Sequence, residues 1–519
     1  MVISSVISAV GTIYVTNLLG SEAYALYSFA FTVPTLIMLF RDWGVTSAII
    51  RYTAQYRAEK RETEIKNMFI AGIAFEMILG VLLFFVSFLL SGFLANNWYH
   101  IPEIALLIRI ASFSIIAGGL ISTATAVFTG TEETTYNSTM LICQSVIKTT
   151  FIVLLVMLGL GTTGAVTGFV LSSMIAGVIG LTFIMILYRK LPKTLSSSSK
   201  LEIKEYTKEM LKYGIPISIL TIISGFLLPF YTLILQHFYT DRSIIGNYFA
   251  AVNFIILISF FATPINNMLF PAFSKLDAKK NKTALKNVFQ YSVKYSSLIV
   301  VPIATLVMCL STQIANTLYP SFDLIPFFLT LLAMNYLLSA AGSLSIGNLL
   351  NSQGQTKLNL KFTILTAAIG FPMGYFLIMQ YNVLGLIFTS TVAPIPSLIL
   401  SIIWIKKHYH LTINWIFSAK ILITSTITAT LTYLLINLIN FNTNIGTFSF
   451  INLDSAIALT IGTIFYIIIL FIVLMLTKTL SINDLKRLHK MTTGLGPITK
   501  IIHLILKIME KIMTKLKLT

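Results

Sequence analysis

Long apolar runs separated by short polar breaks fill most of this chain. A helix crosses a bilayer with about 20 mostly apolar residues, so the runs are read as membrane spans. They predict about fourteen helices, over residues 2–19, 24–40, 67–94, 104–129, 138–160, 164–188, 214–238, 245–271, 293–317, 325–350, 360–380, 383–405, 416–439 and 455–477. The stretch Val2–Leu19 follows no basic segment and meets no convincing small-residue cleavage site, so it reads as a retained first helix rather than a signal peptide. The expected fold is all-α and polytopic.

Composition narrows the class. Of 519 residues, 56% are hydrophobic and 10% charged, with a mean hydropathy of +0.87. A soluble domain carries about 25% charged residues, so an ordinary cytosolic enzyme is excluded. The formal net charge is +18. In a soluble protein that would suggest nucleic acid, but here the basic residues sit in short clusters between apolar runs, so no nucleic-acid partner is expected. Cys143 and Cys309 both fall within apolar runs and read as small buried thiols rather than a disulfide framework.

Where the charges lie sets an orientation. Arg51, Arg57, Lys60, Arg61 and Lys66 follow the second span. Arg189, Lys190, Lys193, Lys200, Lys204, Lys208 and Lys212 follow the sixth, and Lys275, Lys279, Lys280, Lys282 and Lys286 follow the eighth. The alternate connections are short and carry Glu22, His100, Glu103, Asp323 and Asp454, with Arg242 beside Asp241 as their one clear basic residue. The Glu132–Glu133 turn is the acidic exception on the basic side. By the positive-inside rule both termini face the cytoplasm. Beyond Ile498, apolar Ile501, Ile502, Ile505, Ile508, Met509, Ile512 and Leu516 recur at helical spacing, with Lys500, Lys507, Lys511 and Lys515 on the other face. That pattern predicts a basic amphipathic helix on the anionic lipids of the inner leaflet, with a partner-binding helix as the alternative.

The chain also resembles itself. Ala25-Leu26-Tyr27-Ser28-Phe29-Ala30 parallels Gly246-Asn247-Tyr248-Phe249-Ala250-Ala251, Thr134 and Asn137 parallel Thr356 and Asn359, and Gly164-Ala165-Val166 parallels Gly385-Leu386-Ile387. All three matches share an offset of about 221 residues, or six spans, which gives two halves of the same orientation. The expected organisation is therefore an N-lobe over 1–190 (six helices), a linker over 191–213, a C-lobe over 214–405 (six helices), two additional helices over 406–477 and a basic tail over 478–519. Substrate is expected between the lobes near the midplane.

Two parallel six-helix lobes with two extra helices resemble the lipid-linked oligosaccharide flippases of the multidrug/oligosaccharidyl-lipid/polysaccharide (MOP) exporter superfamily. Local motifs carry the same resemblance: Gly11-Thr12-Ile13-Tyr14, the run from Leu18 to Tyr27, Asp42-Trp43-Gly44, and Ala48-Ile49-Ile50-Arg51-Tyr52. The short start before Gly11 departs from the pattern and reads as a clipped first helix. The resemblance implies a plasma-membrane protein that moves a polyprenyl-(di)phosphate-linked oligosaccharide by alternating access. It also implies glycan-assembly enzymes as partners.

Ionisable side chains at membrane depth are costly, so each is a candidate for function. The candidate substrate-binding residues are Arg41, Asp42, Arg51, Glu76 and Lys148, all in the first lobe. Glu76 lies roughly 13 Å into its helix at 1.5 Å per residue, with Lys148 at a similar depth. Their mutual pairing is the structural expectation. The functional one is that Lys148, Arg51 and Arg41 offer positive charge to a diphosphate. Arg109, near the outer end of its helix, is expected to snorkel.

No HExxH, CxxC, Walker or GxSxG arrangement occurs in a catalytic context, so no enzyme, metal or cofactor is expected. A cation-coupled multidrug exporter of the multidrug and toxic compound extrusion (MATE) type is the alternative function. It should carry buried carboxylates where a flippase of anionic head groups carries Lys and Arg. A membrane glycosyltransferase would need acidic metal ligands and a sizeable outer domain, which the short outer loops cannot supply.

Overall fold

The computed structural model describes residues 2–191, 200–239, 241–276, 282–439, 447–448, 451–477, 479–480, 484–485 and the single positions 503, 507 and 510. Contacts group the chain into two units. One comprises residues 1–249 and 363–394, the other 250–362 and 395–519. The lobes drawn from the sequence are halves of a repeat, whereas these units are groups of helices in mutual contact.

In the first unit, α1 (Val2–Met38), α2 (Val45–Ala58), α3 (Glu62–Phe93), α4 (Ile104–Gly130), α5 (Thr134–Leu155), α6 (Gly161–Lys190) and α7 (Lys200–Phe238) follow one another. α1 holds two expected spans in one run, broken at Gly20, whose φ of 72° only glycine adopts cheaply. The connection expected after the second span is helical in part: α2 is a separate short helix. It opens at the turn of Trp43 and Gly44, where a Cβ on Gly44 would lie 2.3 Å from the carbonyl oxygen of Gly214 on α7. Backbone meets backbone there, and any side chain would force the helices apart.

α4 packs against α3 and α6, and α5 against α1 and α6. Ile49, Met68, Phe69, Val127, Phe128, Met140, Ile184 and Met210 form one buried cluster at the end of the bundle that holds α2. Around the circumference, large apolar side chains point outward, Leu89 at 75% exposure among them. In water such a surface would be untenable, but in a bilayer it is the solvent-matched face.

α8 (Arg242–Phe254) bridges the boundary between the units. The second unit contains α9 (Ile256–Ser274), α10 (Lys282–Cys309), α11 (Ser311–Leu318), α12 (Ile325–Met334) and α13 (Ser343–Ser352). A 3₁₀ turn over Asn335–Ala341 joins α12 to α13, and the chain bends by 52° at that break. α14 (Thr356–Val392) is interrupted at Asn382, whose φ is 53°. α15 (Ile395–Tyr409), α16 (Trp415–Ile439) and α17 (Leu453–Leu476) complete the helices. Just before α17, two-residue strands, Thr447–Phe448 and Ile451–Asn452, pair antiparallel.

The start of the tail is anchored in this second unit. Asp484 accepts from Lys294 Nζ at 2.7 Å and Tyr295 Oη at 3.3 Å, while Leu480 and Leu485 pack with Phe417, Ile421 and Leu474. The amphipathic pattern from Ile498 onward falls, apart from positions 503, 507 and 510, outside the described residues.

Among the described residues, nine helical stretches are long and apolar enough to cross a membrane, or ten if the bent pair over Ile325–Ser352 is one span. This is an all-helical, multi-pass membrane protein.

Candidate functional site

The five candidate residues do not form one cluster. Arg41 sits just after α1, where the chain turns, and its side chain runs back into the first unit. Its Nε donates to Glu76 Oε2 on α3 at 2.7 Å, its Nη2 to Ser122 Oγ at 2.9 Å and its Nη1 to the carbonyl of Ile115 at 3.5 Å, both on α4. Arg41 and Glu76 are each almost fully buried, at 7% and 1% side-chain exposure. A charge-assisted pair of this kind satisfies much of what burial takes away. Small residues make room for it: Gly118 and Gly119 on α4 lie against the guanidinium, where a Cβ on Gly118 would come within 2.9 Å of Nη1. The second carboxylate oxygen, Glu76 Oε1, is buried without a hydrogen-bond partner.

The expected pairing of Glu76 with Lys148 is therefore corrected. The two lie at similar depth along their own helices, but α3 packs on α4 while α5 packs on α1 and α6. Depth was legible from the sequence; the facing direction was not. Lys148 Nζ instead donates to Ser8 Oγ of α1 at 3.1 Å, and that hydroxyl also reaches Ser145 Oγ at 3.3 Å. Among the described residues Lys148 has no carboxylate partner, and its amine is held inside the bundle by the Ser8 hydroxyl.

Asp42 closes the turn and also lies close enough to Glu76 to act on that carboxylate. Its Oδ1 accepts the backbone N–H of Thr46 at 2.8 Å and the Thr46 hydroxyl at 2.5 Å, which fixes the first turn of α2. Arg51, on α2, is exposed and forms no ion pair among the described residues. Its guanidinium lies 4.4 Å from the ring centre of Tyr213 on α7 and 5.5 Å from that of Tyr52. One turn on, burial first and then the Glu209 carboxylate push the Tyr56 hydroxyl up to about 12, so it stays a neutral donor. Arg109 donates from Nε to Ser91 Oγ at 3.1 Å, and its guanidinium lies over Phe88.

The sequence profile of the polysaccharide biosynthesis protein family matches residues 1–277. This chain belongs to that family. Those residues include all five candidates, the Arg41–Glu76 pair and Lys148. A membrane protein of Methanocaldococcus jannaschii, named MJ1068 and described as uncharacterized, is 23% identical over 405 residues, covering 74% of this chain and 78% of its own.

Solved structures share the fold. The lipid II flippase MurJ, in an inward closed conformation, superposes with a TM-score of 0.66 at 15% identity, over 91% of this chain and 98% of its own. An inward-facing MATE transporter of the MOP superfamily gives 0.61 at 16% identity, over 78% and 94%. A MOP superfamily transporter from Pyrococcus furiosus, reported with a binding pocket of reversed polarity, gives 0.54 at 16% identity, over 79% and 95%. The polysaccharide biosynthesis protein thus shares the fold of the MurJ flippase and of MATE transporters of the MOP superfamily.

Two features of the site escaped the sequence reading. Arg41 was weighed as a free cation, yet it is the partner of Glu76, 35 residues away. Ser8, whose hydroxyl holds Lys148, and Ser145, which Ser8 bonds in turn, lie on two helices and carried no signal beyond being small polar residues in apolar runs.

Proposed function

We propose that this polysaccharide biosynthesis protein translocates a polyprenyl-(di)phosphate-linked oligosaccharide from the cytoplasmic to the outer leaflet of the plasma membrane. It would do so by alternating exposure of its binding site to the two faces. Lys148 carries this reading: it is a basic side chain inside the first unit, bonded to the Ser8 hydroxyl, with no carboxylate partner among the described residues. Such a group is stabilised by an incoming anion, and lysine suits phosphate as a compact charge. Arg51, exposed on α2, is suited to the first capture of the same head group from the cytoplasmic side. The MATE-type alternative wants an uncompensated carboxylate, and Glu76 has Arg41 as its ion-pair partner.

The proposal includes the finer architecture. The 57-residue stretch Thr134–Lys190 and the 54-residue stretch Thr356–Tyr409 are each far longer than one crossing. Breaks at Gly20, Gly159–Gly161 and Asn382 divide α1, the α5–α6 run and the α14–α15 run into pairs of spans. Counted so, the chain has about fourteen spans. The repeat gains support as well. α5 starts at Thr134 and α14 at Thr356, and the breaks that follow, near Leu160 and Asn382, keep the same offset of 222 residues.

Purified protein in liposomes, loaded with a fluorescent polyprenyl-diphosphate oligosaccharide, tests the function. Lys148→Ala should lower the flipping rate by at least about tenfold, equivalent to about 1.4 kcal/mol, with the folded yield unchanged, and Lys148→Arg should restore part of it. Wild-type rates in Lys148→Ala would sink the assignment. Binding and transport of organic cations instead would favour the exporter.

A further inference from the structure

At the far end of the first unit from Arg41, the end that is outer in the proposed orientation, a histidine of the α3–α4 connection meets one of α7. α3 runs into a π-helical turn over Leu94–Trp98, and the chain then reverses at His100, whose φ is 54°. That reversal brings the His100 ring to 5.8 Å from the ring of His237, in the last turn of α7. His100 is exposed and makes no hydrogen bond or ion pair among the described residues.

His237 is fixed more firmly. Its Nδ1 lies 2.8 Å from the carbonyl oxygen of Trp98, which can only accept, so Nδ1 carries the proton. In the neutral ring the lone pair is then on Nε2. The Trp98 ring lies tilted against His237, ring centres 4.4 Å apart, and Trp98 Nε1 donates to the carbonyl of Leu233 on α7 at 3.0 Å. Both polar groups of Trp98 thus tie the end of α3 to α7. A histidine that gives its Nδ1–H to a backbone carbonyl has the orientation and tautomer usual for a metal-ligating imidazole.

We propose that His100 and His237 form a two-histidine site for a divalent transition-metal ion of the zinc type. The spacing fits. With metal–nitrogen bonds of about 2.0–2.1 Å, two imidazoles on one tetrahedral ion have their ring centres ~5–6 Å apart. The remaining positions go to water, which makes the site open and readily exchanged. A bound ion bridges the α3–α4 connection to α7 and adds a third tie to the two that Trp98 supplies. It should therefore hold this end of the unit shut and slow any cycle that requires the two elements to part. The proposal rests on the histidine geometry alone and does not depend on which substrate is carried.

The test uses the tag-free full chain in detergent, titrated with Zn²⁺ by calorimetry and followed by thermal unfolding. Wild type should bind one Zn²⁺ per chain in the micromolar range and unfold at a higher temperature with the metal present. His100→Ala, which removes an exposed side chain, should weaken that binding at least about tenfold, or 1.4 kcal/mol, and abolish the thermal shift. His237→Gln removes the second ligand while keeping a donor for the Trp98 carbonyl, and it should act alike. Unchanged zinc affinity in His100→Ala, or no binding by wild type, overturns the site. In liposomes, external Zn²⁺ should slow transport by wild type and not by His100→Ala. Equal slowing of both would overturn the clamp.

Discussion

The Arg41–Glu76 pair offers a quantitative check on the whole reading of the first unit. Removing one member of a buried ion pair leaves the other unpaired and costs about 3–5 kcal/mol, whereas replacing both by apolar groups of similar volume is often neutral. Here the guanidinium also bonds Ser122 and the Ile115 carbonyl, so it holds three helical elements together. Glu76→Leu strands Arg41 and should cost about 3–5 kcal/mol, as should Arg41→Met through Glu76. The double variant should lie well above the sum of the two, with a coupling of about 2–3 kcal/mol. Glu76→Leu with Lys148→Met, by contrast, should be additive within about 0.5 kcal/mol, because those side chains sit on helices that do not pack together. Reversible unfolding in mixed micelles gives all four corners of each cycle. Additivity between 41 and 76, or strong coupling between 76 and 148, would refute the arrangement.

Two further expectations follow from orientation and from the tail. In a background lacking Cys143 and Cys309, a cysteine at exposed Asn97 should react with an impermeant thiol reagent added outside intact cells, and one at exposed Lys204 should not; the reverse pattern would invert the topology. Asp484→Ala removes the acceptor of Lys294 and Tyr295, so it should lower stability by about 1–3 kcal/mol and speed proteolysis of the tail, and an unchanged digestion pattern would show the anchor to be idle.

What the sequence conveyed was governed by length and periodicity. The end of the first span at 19 and the break between 380 and 383 coincide with Gly20 and Asn382, because a bilayer sets the length of an apolar run and the chain must turn where it ends. The placing of Glu76 and Lys148 inside long apolar helices was legible for the same reason. Azimuth was not. A helix buried or lipid-coated all round carries little polar stripe to say which side meets which neighbour, so Arg41 could not be assigned to Glu76, nor Lys148 to Ser8. The Trp98–His237 contact was hidden for a related reason: the partners of Trp98 lie far along the chain, at positions 233 and 237.

The separation of Arg41 from Glu76 along the chain bears on how the protein is made. Synthesis runs from the amino terminus, so the guanidinium emerges 35 residues before the carboxylate that neutralises it. Ser122 and Ile115, its other partners, come later still. Until α3 follows, Arg41 is a cation at the end of an apolar helix, held out of the hydrocarbon by its cost there. The first spans thus cannot settle one at a time. They become a membrane structure together, when the third helix arrives and the charge can be drawn inward.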